Sequence, residues 1–176
     1  MRKVLFVGAL MASLLFLTVG RTSSASAEVM PAEFVNGGVL ILGEYAVGTA
    51  WFIDRSSIRI EQEGPPEYIL SFQTFPARYD KETGEITRVF EGQWAQCKFN
   101  VDEDKMFLFH DVLNSWIYID PIGIAGETPL DTCGEMAWYI ICKKPFYGGR
   151  KWRDGNGQLR WSNYGDELYR RIDRSY

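Results

Sequence analysis

The chain predicts an α+β fold: an antiparallel β-sheet meander of about 5–6 strands with a C-terminal α-helix packed on one face. Two observations carry this. From Val39 to Asp120, short apolar runs with a period of two recur between turn signals. After Pro129 the period changes to that of a helix, over one strongly apolar stretch.

The elements follow in order. Asn36-Gly37-Gly38 is a turn, and "VLILGEYAVG" after it reads as the first strand. "TAWFIDRSSIRIEQEG" continues the strand pattern with a break in its middle. There Asp54-Arg55-Ser56-Ser57 reads as a polar turn between Ile53 and Ile58, with Asp54 or Ser56 bonding nearby backbone N–H groups and Ser57 completing it. Gly64-Pro65-Pro66 breaks the pattern. Tyr68, Leu70 and Phe72 then alternate with Ile69, Ser71 and Gln73, and Pro76 belongs near an edge or a bulge. Asp80–Glu85 is a charged hairpin loop, Asp102–Lys105 the next turn, and "MFLFHDVLNSWIYID" runs on to Pro121. In the helical stretch, Thr132 and Glu135 form an S/T-x-x-E capping box. Cys133, Met136, Ala137, Ile140 and Ile141 share one face, extended by Trp138 and Tyr139. Lys143 and Lys144 suit the C-terminal dipole, and Pro145 stops the helix. A second short helix is expected near Asp166–Arg174.

Residues 1–27 read as an export signal: Arg2 and Lys3, the uncharged 16-residue run Val4–Val19, and Ala25 and Ala27 before the cut. That run is shorter than the roughly 20 residues a spanning helix needs. The expected destination is periplasmic, cell-surface or extracellular, with no transmembrane segment in the mature chain. Residues 28–144 then form a single α+β domain and 145–176 a basic, aromatic extension. The mature length is enough to bury about 70% of the unfolded-chain surface. Residues 28–149 carry 9 Lys/Arg against 19 Asp/Glu, net −10, whereas residues 150–176 carry 7 against 4, net +3. An acidic body argues against nucleic acid and anionic membranes as partners.

Chemistry is sparse. His110 is the only histidine, so multi-His metal sites are out and a Ser-His or Cys-His hydrolase would have to use it. It lies between apolar runs, where an ordinary strand histidine is expected. No G-x-S-x-G elbow, phosphate loop or calcium loop occurs, no metal ligand set is spaced correctly, and no cofactor is implied. Paired carboxylates could in principle hydrolyse glycosides, though nothing singles out a pair. If Cys133 and Cys142 share a helix they stand about 13 Å apart, beyond the roughly 7 Å a disulfide tolerates. A disulfide, if any, therefore involves Cys97; three buried free thiols are the other reading. In the extension, Trp152, Arg153, Arg160 and Trp161 interleave cations with aromatics, a set able to bind a glycan or a macromolecule. Alternatively the tryptophans pack on the body, which the cost of exposing them favours.

The order "WFIDRSSI", "YILSFQTF", a charged hairpin, "QCKFNVDEDKMFLF", "WIYID" and a final apolar helix resembles small exported bacterial proteins of the surface-adhesin protein E-like type, over roughly Val39–Cys142. Phe52, Ile53, Asp54, Ser57 and Ile58 carry most of the match. The resemblance implies an antiparallel sheet with a helix on one face and, for the named adhesin, binding to host matrix proteins; it brings no catalytic residues. The expectation is an exported, non-enzymatic binding or envelope-associated protein. The alternative is a secreted hydrolase using paired carboxylates, or His110 with a serine.

Overall fold

A computed structural model describes residues 28–123 and 129–176. The segment read as an export signal lies outside the described residues. The chain runs β1 (Phe34–Val35), a 3-10 turn (Asn36–Gly38), β2 (Leu40–Ala46), β3 (Thr49–Gln62), β4 (Glu67–Tyr79), β5 (Ile86–Val89), β6 (Gln93–Asn100), β7 (Lys105–His110), β8 (Ser115–Ile119), α1 (Pro129–Cys142), β9 (Lys151–Arg153), β10 (Leu159–Trp161) and α2 (Asp166–Arg174). Eight strands form one antiparallel sheet in the order β1-β2-β3-β4-β6-β7-β8, with β5 also on β4; β9 and β10 make a separate hairpin.

The meander and the helices are as expected, but the sheet has more strands than the alternation suggested. One source is the Val47-Gly48 turn, which reverses β2 into β3 with both residues at positive φ, 50° and 76°. Valine rarely takes that conformation, so the turn does not announce itself. Another is Asp111–Asn114, which folds one apolar run into β7 and β8: Asn114 N–H donates to the Asp111 carbonyl, and Leu113 N–H to His110 Nδ1. Pro76 lies where the ladder beside β4 passes from β6, which ends at Thr74, to β5, which begins at Ala77. A missing N–H costs little at such a gap.

Alternation gives the sheet two faces. Ile53, Leu70, Phe72, Cys97, Phe99, Met106 and Ile119 point to one, where they meet Cys133, Met136, Ala137 and Ile140 of α1. The helix lies close. A Cβ on Gly134 would stand 2.6 Å from Cys97 Sγ, and one on Gly43, at the bulge in β2, 3.0 Å from Cys133 Sγ. On the opposite face a smaller cluster, Leu40, Leu42, Ala50, Phe52, Ala77 and Tyr79, is buried at one end.

Residues 145–176 are part of this core. Phe146, Tyr147, Tyr164, Leu168, Tyr169 and Ile172 belong to the main cluster. The Tyr147 hydroxyl accepts from Met106 N–H at 2.5 Å and donates to the Ile119 carbonyl at 3.0 Å, so it joins two residues that face each other across β7 and β8.

Candidate functional site

The Asp54 tract is a bulge, and this corrects the turn expected there. β3 runs through it, paired to β4 as Asp54↔Gln73 before and Arg59↔Ser71 after, so four residues of β3 oppose Phe72 alone. Local bonds hold the extra residues. Asp54 Oδ1 accepts from Ser56 N–H at 2.8 Å and Ser56 Oγ at 2.6 Å. Ser57 Oγ donates to the Asp54 carbonyl and accepts from Gln73 N–H. Arg55 bonds the Ser175 carbonyl and lies over the Tyr176 ring, which ties the bulge to the chain's last residues. No serine nucleophile is prepared here: Ser56 gives its proton to Asp54, and Ser57 to a carbonyl.

Glu135 is the residue sequence reasoning misplaced. α1 begins at Pro129, six residues before it, so it caps nothing. It is fully buried and receives the N–H groups of Phe146, Tyr147 and Gly148 and the Tyr169 hydroxyl, the last at 2.7 Å. Burial pushes its carboxyl above the ordinary glutamate range, and these donors pull the other way. The available signal was an acid inside "CGEMAWYII", a stretch with no other charge. Thr132, the other half of the expected box, donates to Glu44.

The four binding candidates of the extension divide between two faces of the β9–β10 hairpin. Arg160 sits opposite Trp152. Trp152 packs against the core, gives its Nε1–H to the Tyr147 carbonyl and lies under Arg150, while Arg160 pairs with Asp154 at 2.8 Å. Arg153 and Trp161 point to solvent with Lys151 and Leu159, and Lys151 Nζ sits 5.0 Å from the Trp161 ring centre. Thus one tryptophan is structural and the other free. Cys97 is a free, buried thiol, as is Cys133; burial, the charge of Asp131 and the neighbouring Cys133 hold the Cys97 pKa high. Cys142 is free and partly buried. His110 is exposed and faces Ser115 across the hairpin, yet its Nδ1 takes the Leu113 N–H and no bond to Ser115 occurs.

The surface that stands out is the half of the sheet's second face that none of the described residues covers. Trp94, Phe107, Phe109, Trp116 and Tyr118 belong to neither core cluster, and Trp94 and Tyr118 are 47% and 46% exposed. Edge-to-face contacts fix Phe107 on Tyr118 and Phe109 on Trp116. Cations brace the rings: Lys98 Nζ lies 5.0 Å from Phe107 and 5.5 Å from Trp116, and Arg59 lies 4.8 Å from Trp94. Next to Trp94 a shallow pocket of about 170 Å³ is lined by Arg59, Glu61, Ser71 and Gln96. Ser71 and Glu61 are hydrogen-bonded to each other. Arg59, Ser71 and Gln96 are in register on β3, β4 and β6; Lys98, Phe107 and Tyr118 are in register on β6, β7 and β8. At about 4.8 Å per strand the surface spans about 19 Å across the strands.

A second cavity, of about 230 Å³, lies where β2, the start of α1 and the tail meet, and gathers Glu44, Asp120, Asp131 and Arg171. Arg171 is committed to structure there: its NH1 donates to the Leu42 carbonyl at 2.6 Å, and its Nε is 3.9 Å from Glu33, within ion-pair range but too far for a hydrogen bond. Among the described residues no cluster of His, Cys, Asp or Glu could hold a metal ion.

No family model matches the chain, and neither a curated protein nor a solved structure matches it.

Proposed function

We propose that this is an exported, non-enzymatic binding protein of surface-adhesin-like type that meets its ligand on the open half of the sheet. The carrying observation is the set of aromatic rings held half-exposed there, braced by Arg59 and Lys98 rather than buried. Proteins that expose contiguous apolar surface rimmed by polar groups use it for recognition. The acidic body argues against nucleic acid as that ligand. Export rests on the Arg2-Lys3 start, the apolar run and Ala25/Ala27.

The test is a binding screen of residues 28–176 against matrix proteins, peptidoglycan and glycans, with Trp94→Ala and Trp116→Ala in parallel. A partner whose binding both variants weaken supports the reading; a partner bound equally well by both variants, or no partner at all, overturns it. Deleting 145–176 is not a usable control, because that segment supplies core side chains. The alternative, a hydrolase with paired carboxylates, would use the cavity of Glu44, Asp120 and Asp131. Glycoside turnover lost in Asp120→Asn, with binding at the sheet unaffected, would favour it.

A further inference from the structure

We infer that the open face takes an uncharged glycan chain laid across the strands, with one sugar ring seated against Trp94. This rests on the proposed binding role and adds the chemical class of the ligand.

Three observations lead there. First, the pocket beside Trp94 has the composition a sugar ring needs. An indole, 47% exposed with Arg59 over one of its faces, forms one wall, and its other face is the one for stacking against C–H groups. A hydroxyl (Ser71), a carboxylate (Glu61), an amide (Gln96) and a guanidinium (Arg59) surround it, for the ring hydroxyls. These side chains come from β3, β4 and β6, rigid strands that hold a fixed geometry. Its volume of about 170 Å³ suits one ring and is well below the roughly 300 Å³ at which drug-sized ligand sites begin.

Second, the pocket opens onto more platforms. Phe109 with Trp116, and Phe107 with Tyr118, continue the surface across β7 and β8. A chain of linked rings crossing the strands would meet a polar subsite first and aromatic faces after it. An extended peptide would instead look for unpaired backbone or a continuous apolar groove, and the row Arg59, Ser71 and Gln96 interrupts any such groove.

Third, the charges on this face cancel. Lys98 is paired with Glu67 at 3.6 Å, and Arg59 shares its pocket with Glu61. Lys105, on the same side of β7 as Phe107, is paired with Glu103 at 2.7 Å, so each cation has a carboxylate close by and neither a polyanion nor a polycation gains from approach, whereas the outer β9–β10 face presents Lys151 and Arg153. A neutral polyol complements the balanced surface.

The experiment is isothermal titration of residues 28–176 with cellohexaose and chitohexaose as uncharged probes and a heparin oligosaccharide as the anionic one, at low and high salt, alongside a matrix-protein panel. Expected is saturable binding of at least one uncharged probe, unchanged by salt, quenching tryptophan fluorescence and weakened about tenfold or more by Trp94→Ala and by Gln96→Ala. Trp161→Ala on the outer hairpin face should leave it unchanged, and circular dichroism should show each variant folded. Binding of heparin alone, with a steep salt dependence, overturns the inference. So does failure of both uncharged probes while a matrix protein binds in a Trp94-dependent way; the binding role would then stand without the glycan. If no probe or protein responds to Trp94→Ala, both fall.

Discussion

The two faces of the sheet are built from the same strands and have opposite fates. On β6, Ala95, Cys97 and Phe99 are buried under α1, while Trp94, Gln96 and Lys98, one residue out of step, face solvent or a neighbouring ring. The closed face is completed by the tail, whose first backbone N–H groups meet Glu135, the one buried carboxylate among the described residues. The open face has aromatic side chains of the same kind, and among the described residues nothing covers them: residues 145–176 go to the closed face.

The largest expected effect tests what closes the first face. Glu135→Ala leaves three buried N–H groups and the Tyr169 hydroxyl without their acceptor, and should cost about 4 kcal/mol. Urea denaturation measures it, and hydrogen exchange should show residues 145–176 losing protection first. Glu135→Gln sharpens this through pH. Because the folded carboxyl titrates above its ordinary value of 4.5, the folded state holds the proton longer. Glu135 should therefore support the fold most below that value, with its contribution declining as pH rises toward the folded pKa. The carboxylates of Asp80 and Glu167, which are exposed, and of Asp154, which is partly buried, are held low, by backbone hydrogen bonds for the two aspartates and by Arg174 for Glu167. They have the reverse sign, losing their contribution as pH falls. Comparing melting temperatures of wild type and Glu135→Gln between about pH 4 and pH 8 isolates the Glu135 part, and an advantage of the wild type that grows with pH would refute the assignment.

A smaller loss is expected where helix and sheet approach. Gly134→Ala drives a Cβ into Cys97 Sγ and should cost about 2 kcal/mol by overpacking. Asp54→Ala should cost about 1 kcal/mol, the usual size of a lost side-chain-to-backbone bond, since Asp54 holds the bulge through Ser56. Denaturation midpoints decide both. The smallest effect on stability belongs to the open face, where Trp94→Ala should stay within about 0.5 kcal/mol, as for surface sites in general, and yet abolish most of the binding. A Trp94→Ala protein that melts far below wild type would mean that the open face is structural after all.

Much of this was legible beforehand, for identifiable reasons. The run around Tyr68–Gln73 shows its period of two because one side is core and the other is not. Most of the face of α1 shows at i, i+3 and i+4, because Cys133, Met136, Ala137 and Ile140 meet the sheet, but Ile141, expected on that face, is 40% exposed. What stayed hidden depends on partners distant in sequence. Glu135 reads as a cap when only its neighbours are considered; the three N–H groups that claim it begin eleven residues later. The Asp54 tract reads as a turn because Asp and Ser favour turns locally, whereas Arg59↔Ser71 pairing carries the strand on. Among the candidate site residues, Trp152 and Trp161 look equivalent in sequence; the hairpin register turns one inward and the other out. Trp94, Phe107 and Trp116 went unremarked because aromatic residues in strands are ordinarily core.

The amino-acid sequence by itself determined the antiparallel class, the stretches that become the two helices and most of the core face of α1, because periodicity and composition are local quantities. The tertiary structure alone decided which face of the sheet is covered, that the basic tail belongs to the core, and that a carboxylate of α1 holds it there. Each of those depends on burial against a segment far along the chain, and burial determines whether an aromatic ring is packing or a place to bind.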